Sequence, residues 1–315
     1  MPAEGIHLTS LREAVAAPGF PAKARAITTR YEGAARLGAI AHDLPYFDRY
    51  LAEVIRYATK RKPRPSAFGN IVHERAAIDI AMFVLERARE RRSDTLAALG
   101  LGLVSHAAMD RQMHPLVNAL ARKYAEGRSH DASHREVEKH QSIGFHDVYF
   151  GRSIMGNPVV VRLVSVPVAE LFADHTITDT LATAFSTSCG IPMAPSLLRR
   201  MGRGYAQHSV LLGSPLGKRA TNAKERAEIM PRFLSGTWGR FDDILARTVA
   251  GTLPALERAW AFYEATGADA ATARHALLDV LPLGSIDPQG EAVDLGTSFV
   301  PVLPRGLQHA PPSNV

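Results

Sequence analysis

Cysteine is nearly missing from this chain: Cys189 is the only one in 315 residues. A single thiol excludes an internal disulfide and any zinc site built on paired thiolates, which leaves a packed, idle side chain as the plain reading. Aromatic residues are scarce too, at 7%, which argues against a surface built to stack on bases. No run approaches the roughly 18 apolar residues of a spanning helix. The opening MPAEGIHLTSLREAV lacks the basic and apolar regions of a signal peptide. The expectation is a cytoplasmic protein with no transmembrane segment. There is no G-x-x-x-x-G-K-[ST] loop, no G-x-G-x-x-G after a strand and no G-x-S-x-G elbow, so nucleotide-cradling and serine-hydrolase chemistry start poorly. No repeat of solenoid period and no low-complexity block occurs. Charge of one sign is not concentrated either. The net charge of +6 is spread along the chain, and the runs Lys60 to Arg64 and Arg87 to Arg92 read as solvated faces or helix ends. Nucleic acid is therefore not expected as a partner.

What is present is apolar content of 46%, enough for one large domain or two ordinary ones. The patterning is mostly helical, which gives an all-α expectation. Ser10-x-x-Glu13 and Ser133-x-x-Glu136 are capping-box signals, the second opening a helix to about residue 149, with Glu136 serving the cap. His73 to Arg92 carries Ile78, Met82 and Leu85 on one face. Ser93-Asp94 offers a cap before Leu96, Leu99 and Leu103, and Pro115 should end that helix. Glu126 to Ala132 reads as a polar loop. Val159 to Val168 suits a short strand, a helix or an extended link. Further helices are expected over Ile177–Ser186, Ala194–Tyr205, Asn222–Phe233, Phe241–Thr266 (interrupted near Gly251 and Pro254) and Asp269–Leu281. Residues 1–155 form the expected metal-bearing region. Residues 156–315 form a mainly helical region packed on it, irregular from about 282.

Histidine is abundant. There are 13 copies, nine of them between His7 and His146, and imidazole is the commonest metal ligand. In GLGLVSHAAMDRQMHP, His106, Asp110 and His114 are spaced i, i+4, i+8 and share one helix face. They continue the stripe begun by Leu96, Leu99 and Leu103, so a face that should be core turns into His, Asp and His. Burying those groups without compensation costs several kcal/mol, and a divalent metal supplies it. In SHREVEKHQ, His134 and Glu138 form H-x-x-x-E, again one turn apart. His140 and His146 lie off that face, and His130 is a loop residue. Upstream, Asp43, His73 and His7 are each unremarkable alone. With the five downstream they make eight N and O donors, more than one zinc needs, so two or three clustered ions fit better.

The order of His7, GAIAHD with Asp43, FGNIVH with His73, LVSHAAMDRQMHP and HREVE resembles the zinc-dependent phospholipase C family, to which the S1/P1-type nucleases are related. The resemblance covers about residues 7–150 and implies an all-α, multi-helix bundle. It implies one zinc on Asp43, His73, His106 and Asp110, a second on Asp110 (bridging), His114, His134 and Glu138, and a third that uses His7 with an N-terminal amine. His42 stands where the family carries Pro before its Asp, and six residues precede His7. The implied activity is phospholipase C-type cleavage of a phospholipid head group by a zinc-bound hydroxide, with Asp43 as general base. Partners would be a phospholipid or other phosphodiester, with transient contact at a membrane surface. Three alternatives stay open. The nuclease version shares the metal chemistry. An HD-type phosphohydrolase would use His42-Asp43 but leaves His114, His134 and Glu138 idle. A non-enzymatic, zinc-stabilised helical protein would close its metal with four protein ligands.

Overall fold

The longest apolar stripe in the chain becomes its central helix. A computed structural model describes residues 4–59, 61–62, 64, 66–124, 127, 129–220 and 238–287, and every regular element among them is helical. The first helices are α1 (Glu4–Ala16), α2 (Ala22–Arg30) and α3 (Glu32–Ala41), and a 3₁₀ turn over Leu44–Phe47 then leads into α4 (Tyr50–Ala58). Next come α5 (Ala67–Ile71), a π-turn over Val72–Ala76 and α6 (Ala77–Arg91). The 30-residue α7 (Asp94–Lys123) and α8 (His130–Tyr149) follow. The remainder comprises α9 (Pro158–Val164), α10 (Val168–Leu171), α11 (His175–Cys189), α12 (Pro195–Gly213), α13 (Pro215–Ala220), α14 (Trp238–Glu264) and α15 (Asp269–Val280). No helix among the described residues is long and apolar enough to cross a membrane.

Helix α7 is the axis, with α3, α6 and α14 packed along it. Ser93 caps its start, the hydroxyl accepting from Leu96 N. The approach of α3 is set by two glycines. A Cβ on Gly102 would collide with the Ala35 carbonyl and sit 2.8 Å from Ala39 N, and one on Gly38 would collide with the Leu99 carbonyl. The backbones therefore touch where a side chain would hold them apart.

Several boundaries differ from the sequence expectations. Pro115 does not end α7, which continues to Lys123. Burial of Leu116, Val117, Leu120 and Ala121 beyond it outweighs the one backbone bond that proline removes. Ser10 and Glu13 lie inside α1 and cap nothing, because the buried stripe already begins at Ile6 and His7. Helix α8 starts at His130, with Ser129 as its cap in place of Ser133. Glu136 consequently sits in the helix body, 3.9 Å from His140. Val159 to Val168 is helical over α9 and α10, with Asn157 capping the first. Gly251 and Pro254 do not interrupt α14. The expected helix over Asn222–Phe233 lies outside the described residues. His73 falls in the π-turn, not at the start of a regular helix. Residues 282–287 are irregular, as composition suggested, but they are not idle. Ile286 is fully buried, and both its N–H and the Ser285 hydroxyl donate to the His73 carbonyl, at 3.0 and 3.1 Å.

Candidate metal centre

Asp110 lies at the middle of a buried cluster. One carboxylate oxygen is 3.0 Å from His106 Nε2 and 3.9 Å from His73 Nε2, and the other is 3.3 Å from His7 Nε2 and 3.6 Å from His114 Nε2. Asp43 faces His73 Nε2 at 3.2 Å. On the opposite side Glu138 lies 3.5 Å from His114 Nε2 and 3.4 Å from His134 Nε2. The eight residues singled out in the sequence thus come from α1, the end of α3, the π-turn, α7 and α8, and they form one connected group.

The helices explain the placement. One turn per four residues stacks His106, Asp110 and His114 on the inner face of α7, and the same spacing stacks His134 and Glu138 on α8. His7 lies flat on His106, with ring centroids 3.9 Å apart. The widened π-turn sets His73 opposite Asp43, a local irregularity of the kind often found at functional sites.

The second ring nitrogen of each histidine shows what the cluster requires. His106 Nδ1 donates to the Ala39 carbonyl at 2.8 Å, and His73 Nδ1 to the Gly69 carbonyl at 2.9 Å. A carbonyl only accepts, so Nδ1 carries the hydrogen and Nε2 of the neutral ring is a bare lone pair. That lone pair faces a carboxylate in both cases, which is repulsive unless a proton or a metal cation lies between them. Without metal, protons take that place. Burial alone would depress His106, yet the Asp110 carboxylate raises it to about 9. His114 and His73 are raised against burial in the same way, by Asp110 and by Asp43. Burial would lift Asp110 and Glu138, but the surrounding imidazoles hold both far below the carboxylate range. Burial and the neighbouring His106 push His7 down to about 4, and its Nδ1 is buried without a partner. Imidazoles and carboxylates are the donor set of a zinc site, and His7, His106 and Asp110, like Asp43, His73 and His106, bring their ligand atoms within 4.8 Å of one another. The residues present fit the metal.

A family model for zinc dependent phospholipase C matches residues 6–184 of the chain. The chain belongs to the zinc-dependent phospholipase C family. The metal of that family is zinc and its activity class is phospholipid hydrolysis, so the His and Asp groups gathered here fit a metal-dependent phospholipase. No curated protein matches the chain. No solved structure matches it either.

Other residues take supporting positions in this phospholipase C family member. His42, unassigned in the sequence, is fully buried, contacts the Ala77 carbonyl at 3.1 Å and packs edge-on to His106. His146 lies apart from the cluster, its Nδ1 donating to the Ser142 carbonyl. His130 Nε2 contacts Asn118 Oδ1 at 2.9 Å. Two functional neighbours escaped the sequence reading. Asn118 sits one turn beyond His114 on the same stripe, and extending that spacing once more would have found it. Asp287 lies 3.3 Å from His114 Nδ1, beyond the matched residues, and no local signal marks it.

Proposed function

We propose that this protein hydrolyses a phosphodiester, a phospholipid head group being the substrate, in a phospholipase C-type reaction. The observation that carries the reading is Asp110, buried and approached on its two oxygens by the Nε2 atoms of four histidines. Asp43, His73, His106 and Asp110 would hold one zinc, and Asp110, His114, His134 and Glu138 a second. His7, beside Asp110, is the protein ligand available to a third. Zinc bound there supplies Lewis acidity toward phosphate oxygens and makes water a nucleophile near neutral pH.

The chain's own residues do the rest. The carbonyls of Ala39 and Gly69 hold His106 and His73 in one tautomer, so the site is organised before substrate arrives. Burial would raise Asp43, but its hydrogen bond to His73 and the nearby imidazoles keep it ionised. Its ionised carboxylate has the lone pair that a general base needs, and in this reading it accepts the proton of the attacking water. The water oxygen bonds to phosphorus as the bond to the lipid oxygen breaks, and the proton passes to that leaving oxygen, which leaves as an alcohol. The Tyr46 hydroxyl lies 3.4 Å from His73 Nδ1, and burial raises its phenol above the ordinary range. It stays protonated beside the ring and acts as a neutral dipole.

The test is metal content of the purified protein, followed by hydrolysis of phospholipid vesicles, mononucleotides and single-stranded DNA. The expected result is stoichiometric zinc, with lipid cleavage lost on chelation and restored by zinc. Activity that survives chelation would overturn the reading. Cleavage of DNA alone would favour the nuclease version.

A further inference from the structure

The segment Ser285–Asp287 has no role in the proposed reaction, yet it is fastened to the metal centre at several points. Ser285 Oγ and Ile286 N donate to the His73 carbonyl, and Arg111 Nε donates to the Ser285 carbonyl at 3.0 Å. Asp287 N donates to Ser285 Oγ at 2.9 Å, which turns the Asp287 carboxylate toward α7. There it receives a hydrogen bond from Asn118 Nδ2 at 2.7 Å. An ionised carboxylate only accepts, so the Asn118 amide group must face it and the amide oxygen must point the other way. That oxygen lies 2.9 Å from His134 Nδ1, and it can only accept from that nitrogen. His134 Nε2 is therefore the bare nitrogen of the neutral ring and the one facing Glu138. His114 is oriented alike, with Nε2 toward Asp110 and Glu138 and Nδ1 3.3 Å from Asp287 Oδ1, a charge contact that is not aligned as a hydrogen bond.

We propose that Asp287 is a positioning residue of the metal centre. It fixes the tautomer and orientation of His134 through the Asn118 hydrogen bonds and favours the same tautomer of His114 by its charge beside Nδ1, so that both would present Nε2 to the second zinc. This rests on the functional reading above, in which those histidines hold zinc. The arrangement matches a general feature of metal sites. A ligating histidine gives its other N–H to a carboxylate or amide oxygen, and loss of that partner typically weakens metal binding roughly 10–100-fold. Two of the three proposed histidine ligands on α7 and α8, His114 and His134, thus answer to a side chain from outside residues 6–184, the range matched by the family. The C-terminal segment completes a site whose ligands all lie far upstream.

The experiment is a zinc titration of the full chain against a chromophoric chelator, with cobalt(II) absorption as a second readout, on wild type, Asp287→Asn and Asp287→Ala. Asp287→Ala should bind the same number of zinc ions as wild type, with one of them held roughly 10–100-fold more weakly and an altered cobalt spectrum. Asp287→Asn keeps the shape and an accepting oxygen without the charge, so it should fall between the two. That variant also keeps the test alive if the alanine variant fails to fold. One fewer zinc ion in both variants would overturn the inference by making Asp287 a ligand itself. Wild-type affinity for every ion would overturn it by making the contact incidental. In both of those outcomes the wild-type chain binds zinc and the functional reading stands. A wild-type chain that binds none would defeat that reading and this inference together.

Discussion

The contact between α3 and α7 makes Gly102→Ala a stringent test of how the centre is built. On helix propensity alone the change should stabilise α7 by about 1 kcal/mol. The structure predicts the opposite. The new methyl would fall inside contact distance of the Ala35 carbonyl and lie 2.8 Å from Ala39 N and 2.9 Å from Gly38 Cα, all of them backbone atoms that cannot rotate away. The two helices must part by about 1 Å to accept it, at a net cost of about 1–3 kcal/mol. The same seam carries the bond from His106 Nδ1 to the Ala39 carbonyl, and α3 runs directly into Asp43. Parting the helices therefore moves Asp43 away from Asp110 and releases His106 together. Zinc affinity should fall roughly 10–100-fold, and phosphodiesterase activity about 100-fold or more, the scale of a 1 Å misplacement. The control is Gly100→Ala, two residues earlier on the same helix, whose methyl meets the Leu85 side chain at 2.6 Å. Leu85 Cγ also lies at 2.9 Å, but these are side-chain atoms on α6 that can move without parting α3 from α7, so this variant should keep zinc affinity. Urea unfolding and chelator competition on both variants decide the matter. If Gly102→Ala is as stable and binds zinc as tightly as Gly100→Ala, the seam does not position the site.

Asp110→Asn should abolish activity and release at least one zinc ion, as judged by metal analysis, because the charge both oxygens share is gone. Glu4 is buried and pushed up to about 8, chiefly by burial and then by Asp43. The folded protein keeps its proton where the unfolded chain has lost it, so Glu4 lowers stability as pH rises from about 4.5 to 8. Glu4→Gln should raise the unfolding free energy by about 3 kcal/mol at pH 7 and by much less at pH 5. Equal gains at the two pH values would sink that account. Cys189 is buried and its thiol is pushed up to about 11 by burial. It should resist a thiol reagent in native buffer and react fully in denaturant; rapid native labelling would contradict this.

The placement of the candidate site was legible wherever it obeyed helical spacing. His106, Asp110 and His114 on α7, and His134 with Glu138 on α8, follow from a four-residue step alone, and the all-α architecture follows from the same periodicity. Misreadings occurred where tertiary packing overrode a local rule. Pro115 breaks isolated helices, but buried leucines on its far side carry α7 past it. Ser10 and Ser133 look like caps, yet α1 is buried from its first turn and α8 takes Ser129 as its cap, so both helices begin upstream. The π-turn at His73 has no sequence signature, and the groups that bind its carbonyl, Ser285 and Ile286, lie more than two hundred residues away. Asp287 was out of reach for the same reason: its role depends on contacts with residues more than a hundred positions away, in a stretch whose composition says only that it is irregular.

The anchoring of Ser285–Asp287 on the His73 carbonyl and on Asn118 has a consequence for biosynthesis. The chain emerges from the ribosome N-terminal end first, so His7, α7 and α8 are exposed long before this segment is made. On the proposed role of Asp287, the imidazoles exist through most of translation without the clasp that would orient two of them. A product cut short before Ser285 would carry all eight donor residues and still have an unfinished centre. Completion of the site would then report that synthesis has passed residue 287.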